Sequence, residues 1–242
     1  MAEAWTYISG RQETGMLIIA DHASNHVPPD IDLGIQPELL TKHIAADLGV
    51  AALSSALNAR LGIPAILGGV SRLVIDLNRE EDAPHIIPST SDGYSIPGNA
   101  ISEDARDVRI DRFWKSYHDE VARLITTTQP VLLVSLHSFT PQLETAPSSE
   151  RPWQVGILYN DDDRAAQIAL PLLASAGVNV GDQLPYSGKL LNATMNLHGE
   201  RNGIAYLGVE MRQDLIANPE GVAHWAGVLG AVITACRDEV KQ

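Results

Sequence analysis

Cysteine is almost absent from this sequence of 242 residues, since Cys236 is the only one. A single thiol excludes intramolecular disulfides and any cysteine-rich zinc site. The residue lies in a stretch that we predict to be the C-terminal helix, with no catalytic motif around it. We therefore predict that Cys236 is a buried packing residue and not a nucleophile.

Long apolar runs are also missing, although 45% of the residues are hydrophobic. No run approaches the roughly 18 residues that a membrane helix needs. The N-terminal stretch MAEAWTYISGRQETG has neither the basic n-region nor the apolar h-region of a secretory signal. These features predict a cytoplasmic protein without membrane contact, and the length suits one domain over residues 1–242.

Basic residues are scarce: 17 Lys and Arg face 30 Asp and Glu, for a formal net charge of −13. Nucleic-acid binding requires a basic face that neutralises phosphates, so this balance argues against that class of partner. The same charge repels small anions at long range, and an anionic substrate would need a local arginine cluster. The candidates for this cluster are Arg72, Arg79 and Arg212.

Four apolar runs are present, and each of them stops at polar or ionisable residues. LIIA precedes Asp21 and His22, LVI precedes Asp76, VLLVSL precedes His137, and IAYLGV precedes Glu210. In an open α/β sheet the carboxyl ends of the strands meet at one edge, where ligands bind. We expect these side chains to come together there, and the combination of residue types indicates a metal-assisted hydrolase.

The alternation of strand and helix patterns predicts an α/β protein with a single-domain, three-layer αβα architecture and a mostly parallel or mixed central sheet. Residues 81–99 form a long loop rich in Pro, Ser and Gly, which we expect to be functional or mobile, with a lid as one option. The predicted strands cover 16–20, one or two within 64–77, 131–137, 154–158 and 204–210, and the predicted helices cover 37–61, 101–128, a helix opened by 161–163, and 218–238.

The metal ligands that we predict first are His22 and His137, because each follows a buried strand directly. Two such histidines with a carboxylate would make a three-ligand catalytic zinc site with one open position. Either histidine alone is equally well explained as a hydrogen-bonded core residue; their shared topology favours the ligand role. His26 is a weaker candidate because Pro28 and Pro29 prevent it from sharing a helical face with His22.

The third ligand has several candidates. Asp47 lies four residues after His43 on the predicted helix 37–61, so the two would occupy one helical face and could point together at the sheet edge. Asp21 and Asp76 compete with Asp47 for this role.

The other histidines carry weaker signals. His118 shares a predicted helix face with Trp114 and is expected to be a packed core residue or to line the site. His198 and His224 are expected at the surface. His85 lies in the loop 81–99 and could act only if that loop closes.

A family resemblance rests on the segments DHASNHVPP, HIAADLGVAALSSALNARLG, SRLVIDLNRE, SLHSF, PYSG and GVEMRQDLI. Together they resemble the N-formylglutamate amidohydrolase family over nearly the whole chain, which implies a phosphorylase/hydrolase-like fold. A more distant similarity is to zinc carboxypeptidases and aspartoacylases. Those enzymes have a Glu three residues after the first metal-binding His, whereas this chain has Asn25, a poor zinc ligand. We therefore favour Asp47 as the replacement.

The resemblance implies Zn²⁺, or another divalent metal, bound by His22, Asp47 and His137. It also implies that Glu210 is the general base and that Arg72 stabilises the oxyanion. The substrate carboxylate would be held by Asn78 and Arg79, with Arg212 in reserve. The implied reaction cleaves the amide bond of a small anionic N-acyl amino acid, with N-formyl-L-glutamate as the lead substrate, giving formate and glutamate. The alternatives are a zinc exopeptidase acting on short peptides and a metal-free binding protein on the same scaffold.

Overall fold

The computed structural model describes residues 4–241 of the chain. Its strands are β1 (Trp5–Ile8), β2 (Met16–Ala20), β3 (Ala65–Gly68), β4 (Thr90–Ser91), β5 (Tyr94–Ser95), β6 (Leu132–Phe139), β7 (Val155–Leu158), β8 (Val180–Asp182) and β9 (Ala205–Arg212). Its α-helices are α1 (Val50–Leu61), α2 (Glu103–Arg109), α3 (Ser116–Thr128), α4 (Arg164–Ser175), α5 (Ala193–His198) and α6 (Pro219–Val240). Within this range, no helix has both the length and the apolar character needed to cross a membrane.

Seven of the strands form one mixed sheet in the order β1-β3-β2-β6-β9-β7-β8. The four central strands β3, β2, β6 and β9 run parallel to one another, whereas β1 and β7 are antiparallel to their neighbours β3 and β9. Helices cover both faces, so the structure confirms the predicted three-layer α/β architecture with a mixed sheet.

Two apolar clusters lie on opposite faces of this sheet, because successive side chains of a strand point to opposite sides. In β2, Met16, Ile18 and Ala20 belong to the cluster beneath α1, α4 and α6. Leu17 and Ile19 belong to the second cluster, which α3 and the segment 70–77 cover. The functional side chains described below lie at the carboxyl edge of the parallel strands, on the side of the second cluster.

The predicted helix over 37–61 is wrong in its first half. The chain forms a 3₁₀ turn at Pro37–Thr41, continues through turns, and begins α1 at Val50 after Gly49, whose φ of 86° is left-handed. A Cβ on Gly49 would lie 2.6 Å from the carbonyl oxygen of Ile216. Ile44 packs in the second cluster, whereas Leu53 packs in the first. What resembles one apolar stripe in the sequence is therefore buried on two different faces of the sheet.

The apolar run before Asp76 is also not a strand. Only β3 forms within 64–77, and the following residues make turns in which Leu73, Val74 and Ile75 are fully buried in the second cluster. The loop 81–99 contains the small hairpin of β4 and β5. The helix predicted over 101–128 is confirmed as α2 and α3, joined by a π-helical turn at Ile110–Lys115.

Candidate active site

Asp21 and His22 follow β2 directly, as the sequence predicts, and both are buried. The end of β3 lies against this segment at Gly68, where a Cβ would overlap the carbonyl oxygen of Asp21. Glycine at this position therefore allows the backbone that carries His22 to pass close to its neighbouring strand.

His137 and Glu210 lie opposite each other on the neighbouring parallel strands β6 and β9. Neither ends its strand, because β6 continues to Phe139 and β9 to Arg212. The expectation that both residues end their strands is therefore wrong by two residues. The cross-strand register nevertheless places the two side chains side by side on one face of the sheet.

Asp47 reaches the same place from the turns before α1, and not from a helical face shared with His43. Its backbone N–H donates to the carbonyl oxygen of His22 over 2.9 Å, which fixes the two segments together. Its Oδ2 atom lies 3.5 Å from Nδ1 of His22 and 2.9 Å from Nδ1 of His137. The backbone N–H of Ser138 donates to the same oxygen over 3.2 Å.

His22, Asp47 and His137 form a buried group whose potential ligand atoms all lie within 4.8 Å of one another. Nδ1 of His22 is buried and has no hydrogen-bond partner within residues 4–241. Two imidazoles and a carboxylate are a ligand set typical of catalytic zinc. A buried ring nitrogen usually has a hydrogen-bond partner, whereas Nδ1 of His22 has none among the described residues and faces a carboxylate oxygen at 3.5 Å. This nitrogen is therefore free to bind a divalent metal, and the group fits such an ion.

Further carboxylates lie behind both histidines. Oδ1 of Asp76 is 2.6 Å from Nε2 of His22, and Oδ2 of Asp21 is 3.3 Å from Nε2 of His137. The hydroxyl of Tyr117 donates to the other oxygen of Asp21 over 2.9 Å. Carboxylates in this position fix the ring orientation of metal-binding histidines. Asp21 and Asp76, which the sequence offered as alternatives to Asp47 for the third ligand, thus lie behind the two histidine rings and not beside Asp47.

Arg72 links two of these carboxylates. Its guanidinium donates to Oδ2 of Asp76 over 2.9 Å and to Oδ1 of Asp47 over 3.3 Å. Burial and the Arg72 guanidinium lower the pKa of His22, but the carboxylates of Asp76 and Asp47 raise it above its ordinary value overall. Burial opposes ionisation of Asp47, yet His22 and His137 hold the pKa of its carboxyl below the usual range.

Glu210 differs from the other acidic residues of the group. Burial raises its pKa to about 7. Its Oε2 atom is buried and, within the described residues, has no hydrogen-bond partner. A carboxylate with this pKa and no partner is suited to accept and release a proton near neutral pH.

The site opens into a cavity of about 220 Å³. Asn78 and Arg79 lie on its wall, where the side-chain oxygen of Asn78 accepts from the backbone of Thr194 over 3.0 Å. Nε of Arg79 is 3.7 Å from Oδ2 of Asp76, a carboxylate that Arg72 already holds more closely. The cavity wall consists of His22, His43, Asp47, Arg72, Asp76, Asn78, Arg79, His137, Ser138, Phe139, Thr140, Tyr186, Leu191 and Glu210.

Arg212 does not belong to this group. It pairs with Asp214, with Nε 2.8 Å from Oδ1, and donates to the carbonyl oxygen of Pro152 over 3.3 Å. Register places it two residues beyond Glu210, so its side chain is on the same face of β9 but past the end of the cavity wall.

Four of the remaining histidines are exposed or line the cavity. His26, His85 and His224 are exposed, as is Asn25, whose side chain donates to the carbonyl oxygen of Leu40. His43 lines the cavity, with Nε2 3.1 Å from Oδ2 of Asp92.

The surface position expected for His198 is wrong, because it is buried against His118, with Nε2 2.9 Å from Nδ1 of that residue. His118 itself is packed against Trp114 and donates from Nε2 to the carbonyl oxygen of Leu77, as expected of a core histidine. It lines a second cavity, of about 790 Å³, and not the cavity lined by His22, Asp47 and His137.

Tyr186 and Arg151 are not among the site residues predicted from the sequence. Tyr186 lines the cavity, and its hydroxyl accepts from Nη1 of Arg151 over 3.0 Å. Tyr186 belongs to the segment PYSG, which carried the family resemblance, and that was the available signal. Arg151 lies in a polar loop with no motif around it.

Comparison with known proteins identifies the family. The profile of the N-formylglutamate amidohydrolase family matches residues 14–217. A gene product of Agrobacterium tumefaciens has a similar structure, with a TM-score of 0.92 and 29% identity, covering 99% of this chain and 97% of that one. An N-formylglutamate amidohydrolase from Ralstonia eutropha JMP134 shares the fold, with a TM-score of 0.72 and 19% identity, covering 100% of this chain and 99% of that one. No curated protein sequence gave a significant match.

The profile match spans most of the chain and includes the candidate metal-binding residues His22, Asp47 and His137, together with Arg72, Arg79 and Glu210. Hydrolysis of amide C–N bonds is the activity that defines this family. The chain therefore belongs to the N-formylglutamate amidohydrolase family.

Proposed function

We propose that the protein is a metal-dependent amidohydrolase that cleaves N-formyl-L-glutamate to formate and glutamate. The observation that carries this proposal is the buried group of His22, Asp47 and His137 beside an unpaired Glu210. Each of these residues is less than one-tenth exposed, so the charges act in a largely dry environment where electrostatic interactions are strong.

His22, Asp47 and His137 would hold a divalent cation, with Zn²⁺ as the lead candidate. When bound there, the cation would supply Lewis acidity that lowers the pKa of water and polarises the amide carbonyl. Asp76 and Asp21 support this role, because they engage the nitrogens of the two rings that face away from Asp47. In this proposal Asp47 is the third ligand, in place of the Glu that zinc carboxypeptidases have three residues after the first His. Asn25, which occupies that position here, is not needed at the metal and can be exposed.

Glu210 is the general base in this proposal. It takes a proton from the attacking water and passes it to the leaving nitrogen as the C–N bond breaks, which releases the free amine and the formate. Its pKa of about 7 suits both transfers, since the group neither holds nor releases the proton too strongly.

Two arginines have separate roles. Arg72 is fixed by Asp47 and Asp76, so it is preorganised to stabilise negative charge that develops on the carbonyl oxygen. Arg79 has a weaker partner in Asp76, at 3.7 Å, and is the better candidate for a bidentate hold on a substrate carboxylate. The amide of Asn78 can add a hydrogen bond, because its oxygen and not its nitrogen is used by Thr194.

The cavity supports a small substrate. Its volume of about 220 Å³ is below the roughly 300 to 1,000 Å³ typical of pockets for drug-sized ligands. A peptidase that accepts longer chains needs an open groove. The size therefore favours an N-acyl amino acid.

The test combines metal analysis with a substrate screen. Replacement of either His22 or His137 by Ala should remove most of the bound zinc and abolish hydrolysis while the protein stays folded, and Asp47→Ala should do the same. His224→Ala is the matched control, because that side chain is exposed and does not line the cavity. The screen compares N-formyl, N-acetyl and N-succinyl amino acids with dipeptides.

We expect zinc-dependent turnover that is fastest with N-formyl-L-glutamate. Full zinc occupancy in both histidine variants would exclude the assigned ligands. Turnover confined to dipeptides would replace the proposed activity with an exopeptidase.

A further inference from the structure

The hydroxyl groups on the cavity wall differ in whether they donate a hydrogen bond within the protein. Ser138 donates to the carbonyl oxygen of Leu48 over 3.0 Å, and Thr140 donates to that of Gln142 over 2.8 Å. The Tyr186 hydroxyl instead accepts a hydrogen bond, and no acceptor within residues 4–241 takes its proton. Of the three hydroxyls, Tyr186 alone has a proton left for a ligand in the cavity.

Arg151 supplies the hydrogen bond that Tyr186 accepts. Its Nη1 also donates to the carbonyl oxygen of Thr140 over 3.3 Å, and its guanidinium carbon lies 5.1 Å from the centre of the Tyr186 ring. Within the described part of the chain, no carboxylate lies within 4.0 Å of Arg151, whereas Arg72 has two such partners. Arg151 is half-buried. Arg151 does not line the cavity itself, but it places a positive charge, without a carboxylate partner in the described residues, directly behind Tyr186.

This arrangement favours an anion next to Tyr186. A hydroxyl that accepts from a guanidinium becomes a stronger donor, because the two hydrogen bonds polarise each other. With its acceptor side occupied by Arg151, the hydroxyl directs its proton elsewhere. A carboxylate in the cavity would receive that proton and would also be attracted by the charge of Arg151.

The loop that carries Tyr186 is held in place. Oε1 of Gln183 accepts from the backbone of Gly188 over 2.8 Å, and its Nε2 donates to the carbonyl oxygen of Tyr159 over 2.6 Å. The carbonyl oxygen of Leu184 lies directly over Gly156, where a Cβ would overlap it. Because the loop is braced on both sides of Tyr186, the hydroxyl is positioned before any ligand arrives.

Tyr186 and Arg79 reach the cavity from different parts of the fold. Arg79 follows β3, and Tyr186 follows β8; in the sheet these strands are separated by β2, β6, β9 and β7. We propose that Tyr186, with Arg151 as its positioning residue, binds a second carboxylate of the substrate, the one on its side chain, and so selects dicarboxylic N-acyl amino acids. This inference rests on the proposed function for the position of the first carboxylate, which is bound by Arg79.

The experiment measures selectivity between an acid and its neutral isostere. Binding of L-glutamate and L-glutamine to the zinc-loaded protein is followed by calorimetry for wild type, Tyr186→Phe, Arg151→Met and Arg151→Lys. A hydrogen bond to a charged group corresponds to roughly a 10- to 100-fold change in affinity. We expect both Tyr186→Phe and Arg151→Met to weaken the binding of L-glutamate by that factor and the binding of L-glutamine by less than about threefold. Arg151→Lys should keep more of the selectivity than Arg151→Met does.

Tyr159→Phe is the matched control, because the Tyr159 hydroxyl donates to Asp182 over 2.9 Å and does not line the cavity. It should bind both ligands as wild type does. Turnover of N-formyl-L-glutamate and N-formyl-L-glutamine by the same variants should show the selectivity loss in KM, with kcat nearly unchanged.

Equal losses for the acid and the amide, or a fall in kcat alone, would overturn the inference. An unchanged preference for L-glutamate in both Tyr186→Phe and Arg151→Met would also overturn it. Absence of turnover with either formyl substrate would contradict the proposed function, whereas the binding measurement would still decide the role of Tyr186.

Discussion

Glu210 is the residue whose environment differs most from that of the acids around it. Asp47 and Asp76 are each held by Arg72 and a histidine, and Asp21 accepts from Tyr117. Glu210 has no comparable partner in the described residues, although it is only 9% exposed. Burial of an unpaired carboxyl destabilises a protein, so its presence here is better explained by chemistry than by stability.

Glu210→Gln tests this interpretation. Gln is nearly isosteric but cannot accept a proton, so kcat should fall by roughly 10² to 10⁴, the range for a positioned acid or base. Bound zinc and KM should stay close to wild type, and the midpoint of thermal unfolding should stay or rise. Steady-state kinetics, metal analysis and calorimetry check these points. A variant that unfolds earlier but keeps most of its turnover would show that Glu210 braces β9 instead.

At the scale of single residues, apolar runs that stop at polar residues were the strongest signal in the sequence. They predicted that His22, His137 and Glu210 would meet, and the structure brings them together. Asp47 was placed correctly for a wrong reason, since it arrives on a turn and not on a helix. Arg151 could not be predicted, because its role depends on a loop contact that has no local pattern.

At the scale of elements, the site depends on the two strands that pair with β9, one on each side of Glu210. Parallel pairing of β6 with β9 places His137 beside Glu210, and antiparallel pairing of β7 with β9 places Gly156 on the other side of Glu210. The missing side chain leaves space that the carbonyl of Leu184 occupies. Strand β7 thus contacts both Glu210 and the loop that carries Tyr186.

Gly156→Ala should disturb both Glu210 and the loop that carries Tyr186. The added methyl group overlaps the Leu184 carbonyl, so the loop must shift, and we expect a loss of about 1 to 3 kcal/mol in the free energy of unfolding. Gly227→Ala is the matched control, because Gly227 lies within α6 with no atom within 4 Å of its added Cβ. That change should be neutral or stabilise by up to about 1 kcal/mol. Urea unfolding measures both, and equal stability of Gly156→Ala and wild type would contradict the role assigned to Gly156.

Elements formed by one continuous apolar run or stripe were predictable, whereas a segment whose apolar residues pass from one face of the sheet to the other was not. The core strands and the closing helix lie close to the ranges expected from their apolar patterns. The helix predicted from 37 failed because Ile44 and Leu53 pack on opposite sides of the sheet. A periodic pattern cannot reveal that change, since the pattern depends only on spacing along the chain.

At the scale of the whole molecule, the buried histidine pair makes stability depend on pH. Nε2 of His118 donates to a carbonyl, so its Nδ1 must accept from Nε2–H of His198, and both rings are neutral. Burial, with the nearby His118, lowers the pKa of His198 to about 4. Below pH 6.5 His198 is protonated in the unfolded chain but stays neutral in the folded protein. The free energy of unfolding therefore falls as the pH drops from 6.5 towards 4.

His198→Gln should reduce this dependence, because Gln keeps a donor at the same place and does not titrate. For a shift from 6.5 to about 4, the wild type should lose about 1 kcal/mol from His198 between pH 7.5 and pH 5.5. The variant should lose correspondingly less. Urea unfolding in the presence of a chelator keeps metal release out of the comparison, and His224→Gln is the exposed control. Identical pH dependence in His198→Gln and wild type would show that the pair is not the cause.

His22 and His137 both present Nδ1, and not Nε2, to Asp47. Nδ1 is two bonds from Cβ and Nε2 is three, so an ion held by Nδ1 lies close to the main chain. On these two residues the main chain is the end of β2 and the interior of β6. A cation bound there would therefore be held by two fully buried strands at the centre of the sheet and not by surface loops.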